Sequence, residues 1–400
     1  YANYKWIANV NYIIDAEPEM AGTEADVAYV AGQAYAIRAL CYLNLATWFS
    51  RAPYNSLTGA SRWNEPCVPV YTTGTSIDTG GQPRESLRTV YGRIDQDIDR
   101  AIELLEKARE TTLAENNKSH INLYVALGIK SRACLAEGDW DGAFKAAKRV
   151  IDEGGYAVGT KSDLTGGMNS LDKQNVMWGA GIQVADQAGG YAGFFTHMDN
   201  KEGAYAKSAP KLISKQLYNR ISATDIRRDW WDPSDKESPY VSKKFSFANV
   251  AFFLGDYIYM RVEEMYFTAA EAALRLDDLK SARELMNTVM AERDPGYSAN
   301  NRSGTLLGAT TTTWTGSFLE NILTHRRIEL WGEYGRLFDV RRLGQGIDRR
   351  TDDGFSEECI SMMNRRNVNI TKADTYDWVL TIPKAELDAN PNINEEDQNP

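Results

Sequence analysis

Apolar residues recur at three- and four-residue spacings over most of this chain, the period of helices that each bury one face. Residues 4–15 have this spacing and begin abruptly, as though a preceding segment were cut away. The first long predicted helix spans 24–49, with Ala34, Ile37, Leu40, Cys41, Leu45 and Trp48 on its apolar face. Its many alanines allow close helix packing, and Pro53 beyond Ser50 stops it. A second helix is predicted over 84–109, with Leu87, Val90, Ile94, Ile98, Ile102 and Leu105 in register. Between the two, 52–83 is rich in Gly, Ser, Thr and Pro. Loops of that length inside a compact chain usually carry function.

One pattern occurs twice. Helix 121–137 runs into EGDWDGAFKAAKRVIDEG (137–154), and helix 261–276 runs into LDDLKSARELMNTVMAER (276–293). Ala133, Leu135, Asp139 and Ala143 align with Ala273 or Ala272, Leu274, Asp278 and Ala282. A small residue after a short acidic turn is what tetratricopeptide-type hairpins need to pack tightly. Between the copies, 155–258 loses the helical period and shows strand-like runs at 176–184 and 249–254. A further irregular stretch covers 295–316, and 345–378 leads to a final segment whose Pro and Asn spacings predict successive turns, not a helix. The predicted fold is mainly α. Helical hairpins over about 1–154 and 259–344 form one superhelical unit, with an irregular ligand-side insertion at 155–258 and a turn-rich segment at 345–400.

The densest pattern is THRRIELWGEYGRLFDVRRLG, 324–344. Ile328, Trp331, Tyr334 and Phe338 share one helical face, while Arg326, Arg327, Glu329, Glu333, Arg336, Asp339, Arg341 and Arg342 fill the positions between. Gly335 divides the run into two short helices. Glu329 and Glu333 with His325 invite a catalytic reading. Neighbouring arginines, however, would hold both carboxylates ionised, which is wrong for a general acid. The run therefore reads as a structural network of partly buried ion pairs.

These residues also carry a resemblance. Arg327, Glu329, Leu330, Glu333, Arg336, Phe338, Asp339 and Arg342 resemble the C-terminal signature of the SusD/RagB-like family, surface glycan-binding lipoproteins of Bacteroidetes. His325 stands where the family usually has Glu, and the Gly after Glu333 comes one place late. Arg261, Glu264, Tyr266, Ala270 and Glu271 match the run before that signature, and Arg38, Ala39 and Pro53 match the first conserved helix, with Ser50 in place of its usual Gly. Ile382-Pro383, Glu386, Asn390-Pro391 and Gln398-Asn399-Pro400 match the family's ending. The resemblance implies a non-catalytic protein that captures an oligosaccharide or polysaccharide at the cell surface. It would pass this to a SusC-like TonB-dependent transporter in the outer membrane. It also implies an N-terminal lipid on a Cys outside this chain, the chain's only tie to the membrane.

Composition narrows the partners. Of 400 residues, 55 are acidic and 45 basic, giving a net charge of −10, and the basic cluster at 324–344 has its own carboxylates. That argues against nucleic acid and against an anionic membrane surface. No run of eighteen apolar residues exists, and the chain opens at Tyr1 without a leader, so it reads as a mature or trimmed sequence. Cys41 and Cys134 fall in apolar helical patterns as buried thiols. Cys67 and Cys359 lie in loop-like stretches, and the sequence leaves a bridge between them open. His120, His197 and His325 are scattered, so no zinc site or other cofactor is expected, and Asp225, Asp229 and Asp232 are weak candidates for a metal that braces the loops.

Sugar rings present flat C–H faces that stack on aromatic side chains, at about 1 kcal/mol per ring. The 10 Trp and 21 Tyr fall partly in the irregular stretches. Tyr54, Trp63, Tyr191, Phe194, Phe195, Trp230, Trp231 and Trp314 are the ligand-binding candidates, whereas Trp48, Trp140 and Trp331 read as helical core. Two other functions stay open. A glycoside hydrolase needs a carboxyl pair about 5–10 Å apart, and only Asp229 and Asp232 beside the Trp pair have a distinctive setting. A pure interaction scaffold would not need aromatic-rich loops.

Overall fold

The computed structural model describes residues 2–400 apart from 112, 114–116, 185–191, 303–315, 349–368 and 371–374. The long helices are α1 (Ala2–Ala16), α2 (Glu24–Phe49), α3 (Leu87–Lys107), α4 (Leu123–Glu137) and α5 (Trp140–Glu153). Short helices α6 (Lys161–Thr165), α7 (Phe194–Met198), α8 (Ala204–Ser208) and α9 (Lys215–Tyr218) follow. Then come α10 (Val262–Arg275), α11 (Leu279–Ala291), α12 (Phe318–Glu329), α13 (Arg336–Arg342) and α14 (Lys384–Ala389). Strand β1 (Val176–Ala180) pairs antiparallel with β4 (Tyr257–Arg261), and β2 (Trp231–Asp232) with β3 (Val241–Ser242). A third two-residue pair joins 347–348 to 369–370. The fold is mainly α, as the spacing predicts. No helix among the described residues is long and apolar enough to cross a membrane. The described residues group into two compact units, one of 1–146, 337–345 and 372–400, the other of 147–336 and 346–371.

In the first unit α2 is the central helix, packed on α1 and α3. Thr23 caps its N-terminus by accepting from the Asp26 amide. A side chain at Gly32 would come within 2.9 Å of Leu105, so the small residue sets the close approach of α2 to α3. Arg38, buried on α2, donates to both Asp97 oxygens on α3 at 2.8 and 2.7 Å and to Asn11 on α1 at 2.7 Å. A bidentate pair of this kind fixes register as well as charge. The 52–83 loop is held against these helices by the Tyr42 hydroxyl, which donates to the Tyr71 carbonyl and accepts from its amide. The closing signature acts as a set of backbone caps. Asn399 donates to the Phe49 and Leu380 carbonyls, and Gln398 exchanges both its amide bonds with Ile382.

In the second unit α10 and α11 form the second hairpin, with Asp278 capping α11 through the Ser281 amide. Tight alanines on both helices are fully buried.

Four expectations change. The 249–254 run is not a strand; it is a short turn of helix closed by a single bridge between Asn249 and Leu254, with Phe253 in the left-handed region. The final segment contains α14 and is not turns throughout, because Pro383 pre-sets the backbone at its N-cap. Trp331 and Tyr334 lie in the turn between α12 and α13, where Gly332 and Gly335 both have positive φ. Trp48 is exposed on α2 and is not core. Cys41, Cys67 and Cys134 are buried free thiols, whereas Cys359 lies outside the described residues.

Gly138 ends α4 in the left-handed region, and a Cβ there would meet the Tyr54 ring at 2.4 Å. Gly138→Ala should therefore destabilise the protein by about 1–3 kcal/mol, read from the urea unfolding midpoint.

Candidate functional site

Glu329, fully buried on α12, is the centre of the second unit. Its carboxylate accepts from Arg293 at 3.0 Å on each oxygen, from Arg261 at 3.1 Å and from Arg227 at 3.1 Å. Glu333 takes Arg261 at 2.7 and 2.8 Å and the Lys244 ammonium at 2.5 Å. Burial alone would raise the Glu329 carboxyl, but Arg293, Arg261 and Arg227 hold it well below the usual carboxylate range. Burial likewise opposes Glu333, and Arg261 and Lys244 win there too. Both groups are ionised and enclosed, so they cannot serve as a general acid. His325 is buried, and burial with the Arg227 charge keeps it neutral. The structural reading holds, with one correction. The partners of Glu329 come from outside the 324–344 run; within it Arg342 pairs with Asp339, while Arg326 reaches out to Glu264 on α10.

This network positions a loop. Arg227 also grips Asp225 at 2.6 Å, and so fixes the turn 225–230 relative to α12. Trp230 donates its indole N–H to the Leu164 carbonyl at 2.8 Å, and the Lys244 ammonium lies 4.5 Å over its ring. Trp231 then pairs with Ser242 in the β2–β3 ladder. The result is a polar pocket of about 440 Å³ whose wall includes Lys161, Tyr218, Arg228, Asp229, Trp231 and Lys243. That volume lies in the range of small-molecule sites. The first unit holds a more apolar cavity of about 600 Å³ lined by Tyr4, Ile7, Phe49, Cys67, Ile382 and Glu386 among others.

The aromatic candidates separate by burial. Trp230 and Trp231 are 2% and 1% exposed, and Phe195 is equally enclosed, so none offers a ring face for stacking. The first two join Ile213, Leu217 and Ile328 in one core cluster, and Phe195 joins Phe245 and Phe247 in another. Phe194 is half-buried edge-on against Phe195 and Phe245. In the first unit Tyr54 packs edge-on against Trp140, and Trp63 against Tyr91 with Arg88 over its ring. Both keep some exposure. Tyr191 and Trp314 lie outside the described residues. Among the described residues no group of three His, Cys, Asp or Glu side chains is placed to hold a metal ion, Asp225, Asp229 and Asp232 included.

Other aromatics are exposed where sequence reasoning missed them. Tyr205, 39% exposed, stacks parallel to His197 with 4.6 Å between centroids. Asp199 builds this platform by accepting from the Lys201, Glu202 and Phe247 amides, which ties the α7–α8 turn to the 245–247 segment. Phe252 and Phe253 are 48% and 45% exposed at the tip of the 249–254 turn, and Phe253 rests edge-on against Phe247. Tyr259 on β4 meets Trp178 on β1 at 5.0 Å. The sequence did signal the tip: Val-Ala-Phe-Phe breaks the alternation of a half-buried strand.

Comparison with known proteins now bears on these features. A family model described as the SusD family matches residues 205–400, and one described as starch-binding and associating with the outer membrane matches 1–135. The chain belongs to the SusD/RagB-like family. This SusD-like chain is similar over 99% of its length to a SusD-like carbohydrate binding protein from Bacteroides vulgatus, at 27% identity and a TM-score of 0.79, covering 83% of that chain. A SusD superfamily protein from Bacteroides thetaiotaomicron (23% identity, TM-score 0.74, 100% of this chain and 84% of that one) shares the fold. So does surface glycan-binding protein A from Bacteroides uniformis (17%, 0.67, 99% and 83%). A search among curated proteins finds no match.

Two outcomes are expected. Glu329→Ala leaves three buried arginines without their shared partner and should cost about 3–5 kcal/mol in chemical denaturation. The second concerns Glu137, whose carboxyl is pushed up to about 9 by burial and by the charges of Asp95 and Asp139. The folded state then holds a proton that the unfolded chain releases near the ordinary Glu value of 4.5, so stability falls as pH rises from there towards 9. Glu137→Gln should accordingly raise the melting temperature at pH 8 and leave it nearly unchanged at pH 4.

Proposed function

We propose that this SusD-like protein binds a glycan at the cell surface without catalysing its cleavage and delivers it to a SusC-like TonB-dependent transporter of the outer membrane. The observation that carries the reading is the polar pocket of the second unit. There the irregular 155–258 region joins hydrogen-bonding side chains to Tyr218 and Trp231. Tyr205 with His197, Phe252 with Phe253, and Tyr259 supply exposed rings in the same unit for stacking on sugar faces. Tyr54, Trp63 and Phe194 remain proposed contacts, as do Tyr191 and Trp314. The family model's description and the titles of the solved relatives support carbohydrate as the ligand and the outer membrane as the setting.

The charge states of the carboxyls support a non-catalytic role. A glycosidase needs one carboxyl held protonated beside one ionised. Asp232 is acidified by hydrogen bonds from Ser234, and Glu329 and Glu333 are held ionised. Glu137 and its neighbour Asp95, the carboxyls that burial raises among the described residues, line neither cavity described above.

Intrinsic tryptophan fluorescence against a panel of polysaccharides, with reducing ends assayed in the same tubes, tests the reading. A saturable shift with one glycan class and no new reducing ends is expected, and Tyr205→Ala should weaken it roughly fivefold, the loss of one stacked ring. New reducing ends would overturn the non-catalytic part, and silence across the panel would overturn the glycan.

A further inference from the structure

The second unit's pocket has a chemical bias that its aromatic neighbours do not reveal. Its wall carries three cations, Lys161, Arg228 and Lys243, and three carboxylates, Asp225, Asp229 and Asp232. Of these carboxylates, Asp225 is neutralised by an ion pair, whereas Asp232 has only neutral donors. Asp225 is buried in its ion pair with Arg227, and Asp232 accepts from the Ser234 amide and hydroxyl at 2.9 and 2.7 Å. Asp229 alone is exposed and unpaired among the described residues. The cations are not neutralised in the same way. Arg228 donates to the Ile221 carbonyl and lies 4.3 Å over the Tyr218 ring, both uncharged partners. Lys161 and Lys243 are exposed and form no ion pair within contact distance among the described residues, although the Lys243 charge acts on Asp232 beside it.

Trp231 itself is 1% exposed and its indole N–H is enclosed, so it backs the wall without offering a group to a ligand. Ammonium and guanidinium groups only donate. With Asp225 neutralised by Arg227, the three cations of the wall outnumber its two remaining carboxylates, Asp229 and Asp232, on a chain whose net charge is −10. The two exposed ammonium groups are a local field that favours an acceptor-rich, negatively charged ligand.

We propose that this pocket takes an acidic sugar, a hexuronate residue of the glycan, whose carboxylate is met by the Lys161 and Lys243 ammonium groups. Its ring hydroxyls donate to Asp229. A neutral sugar would leave the lysines unused, and an inorganic anion would leave Asp229 facing like charge, whereas a uronate offers both acceptor and donor groups. The proposal rests on the glycan-binding reading and names its substrate class.

Calorimetric titration of the full chain with tri-galacturonate and with the neutral galactose trisaccharide of the same linkage tests it. The acidic trisaccharide should bind roughly tenfold more tightly at low salt, the sum of two exposed charge pairs. The advantage should shrink as salt screens it. The Lys161→Gln/Lys243→Gln variant should abolish the preference while retaining the wild-type circular dichroism and melting temperature, since both side chains are exposed. Equal binding of the two trisaccharides, or a preference unchanged in the variant, would overturn the acidic class and leave glycan binding standing. Failure of both trisaccharides and of every polysaccharide in the fluorescence panel would overturn the two readings together.

Discussion

Glu329 meets Arg227, Arg261 and Arg293 in a space closed to water, and much of the second unit follows from satisfying that one carboxylate. Burying a charge costs several kcal/mol unless partners surround it. Here the partners arrive from three separate segments: the 225–230 turn, the end of β4, and the turn after α11. Each arginine then has further acceptors of its own. Arg227 holds Asp225, Arg261 holds Glu263 and Glu333, and Arg293 holds Glu263 and the Gly159 carbonyl. No member can move alone without stranding a charge, so the network specifies geometry more than it adds stability.

The pocket inherits its shape from this constraint. Arg227 holds a turn whose next residues are Arg228 and Asp229, facing the pocket, and Trp230 and Trp231, facing the core. Trp231, packed on Trp230, provides a rigid floor, and the charged residues Lys161, Arg228, Asp229 and Lys243 of the wall provide the chemistry. Sites held within a fraction of an ångström need supporting side chains whose own conformations are locked. Lys244 illustrates the point. Its ammonium is enclosed by the Glu329 and Trp331 carbonyls and the Glu333 carboxylate, while its neighbour Lys243 is exposed on the pocket wall.

The first unit shows a different use of polar groups. Tyr42, Asn399 and Gln398, together with one bond of Arg38 to the Thr72 carbonyl, satisfy backbone groups of irregular segments, which have no ladder of their own. Family resemblance at the chain's end is thus a record of backbone capping. The Pro and Asn pattern there was legible because turn residues act locally, and α14 was missed because a single helical turn after Pro383 leaves no period to read.

Apolar and small-residue spacing by itself determined the helical architecture: α3 and α11 bury one face and repeat it every turn, whereas α2, α4 and α10, rich in alanine, are enclosed over most of their surface. Local chemistry likewise determined that 324–344 would be a charge network, and the signature residues determined the family. Tertiary structure alone decided which charges pair, because the arginines that meet Glu329 lie up to 102 residues away, and even Arg261, which opens a signature run, carries no mark of its partner. It also decided which aromatics face solvent. Trp230 and Trp231 sit beside Asp and Pro in a loop-like sequence and are core, whereas Tyr205 and Phe253 lie in runs of small and apolar residues and are exposed. In a segment without helical or strand period, adjacent side chains have no fixed relation to the interior, so burial there depends on contacts that are distant in sequence.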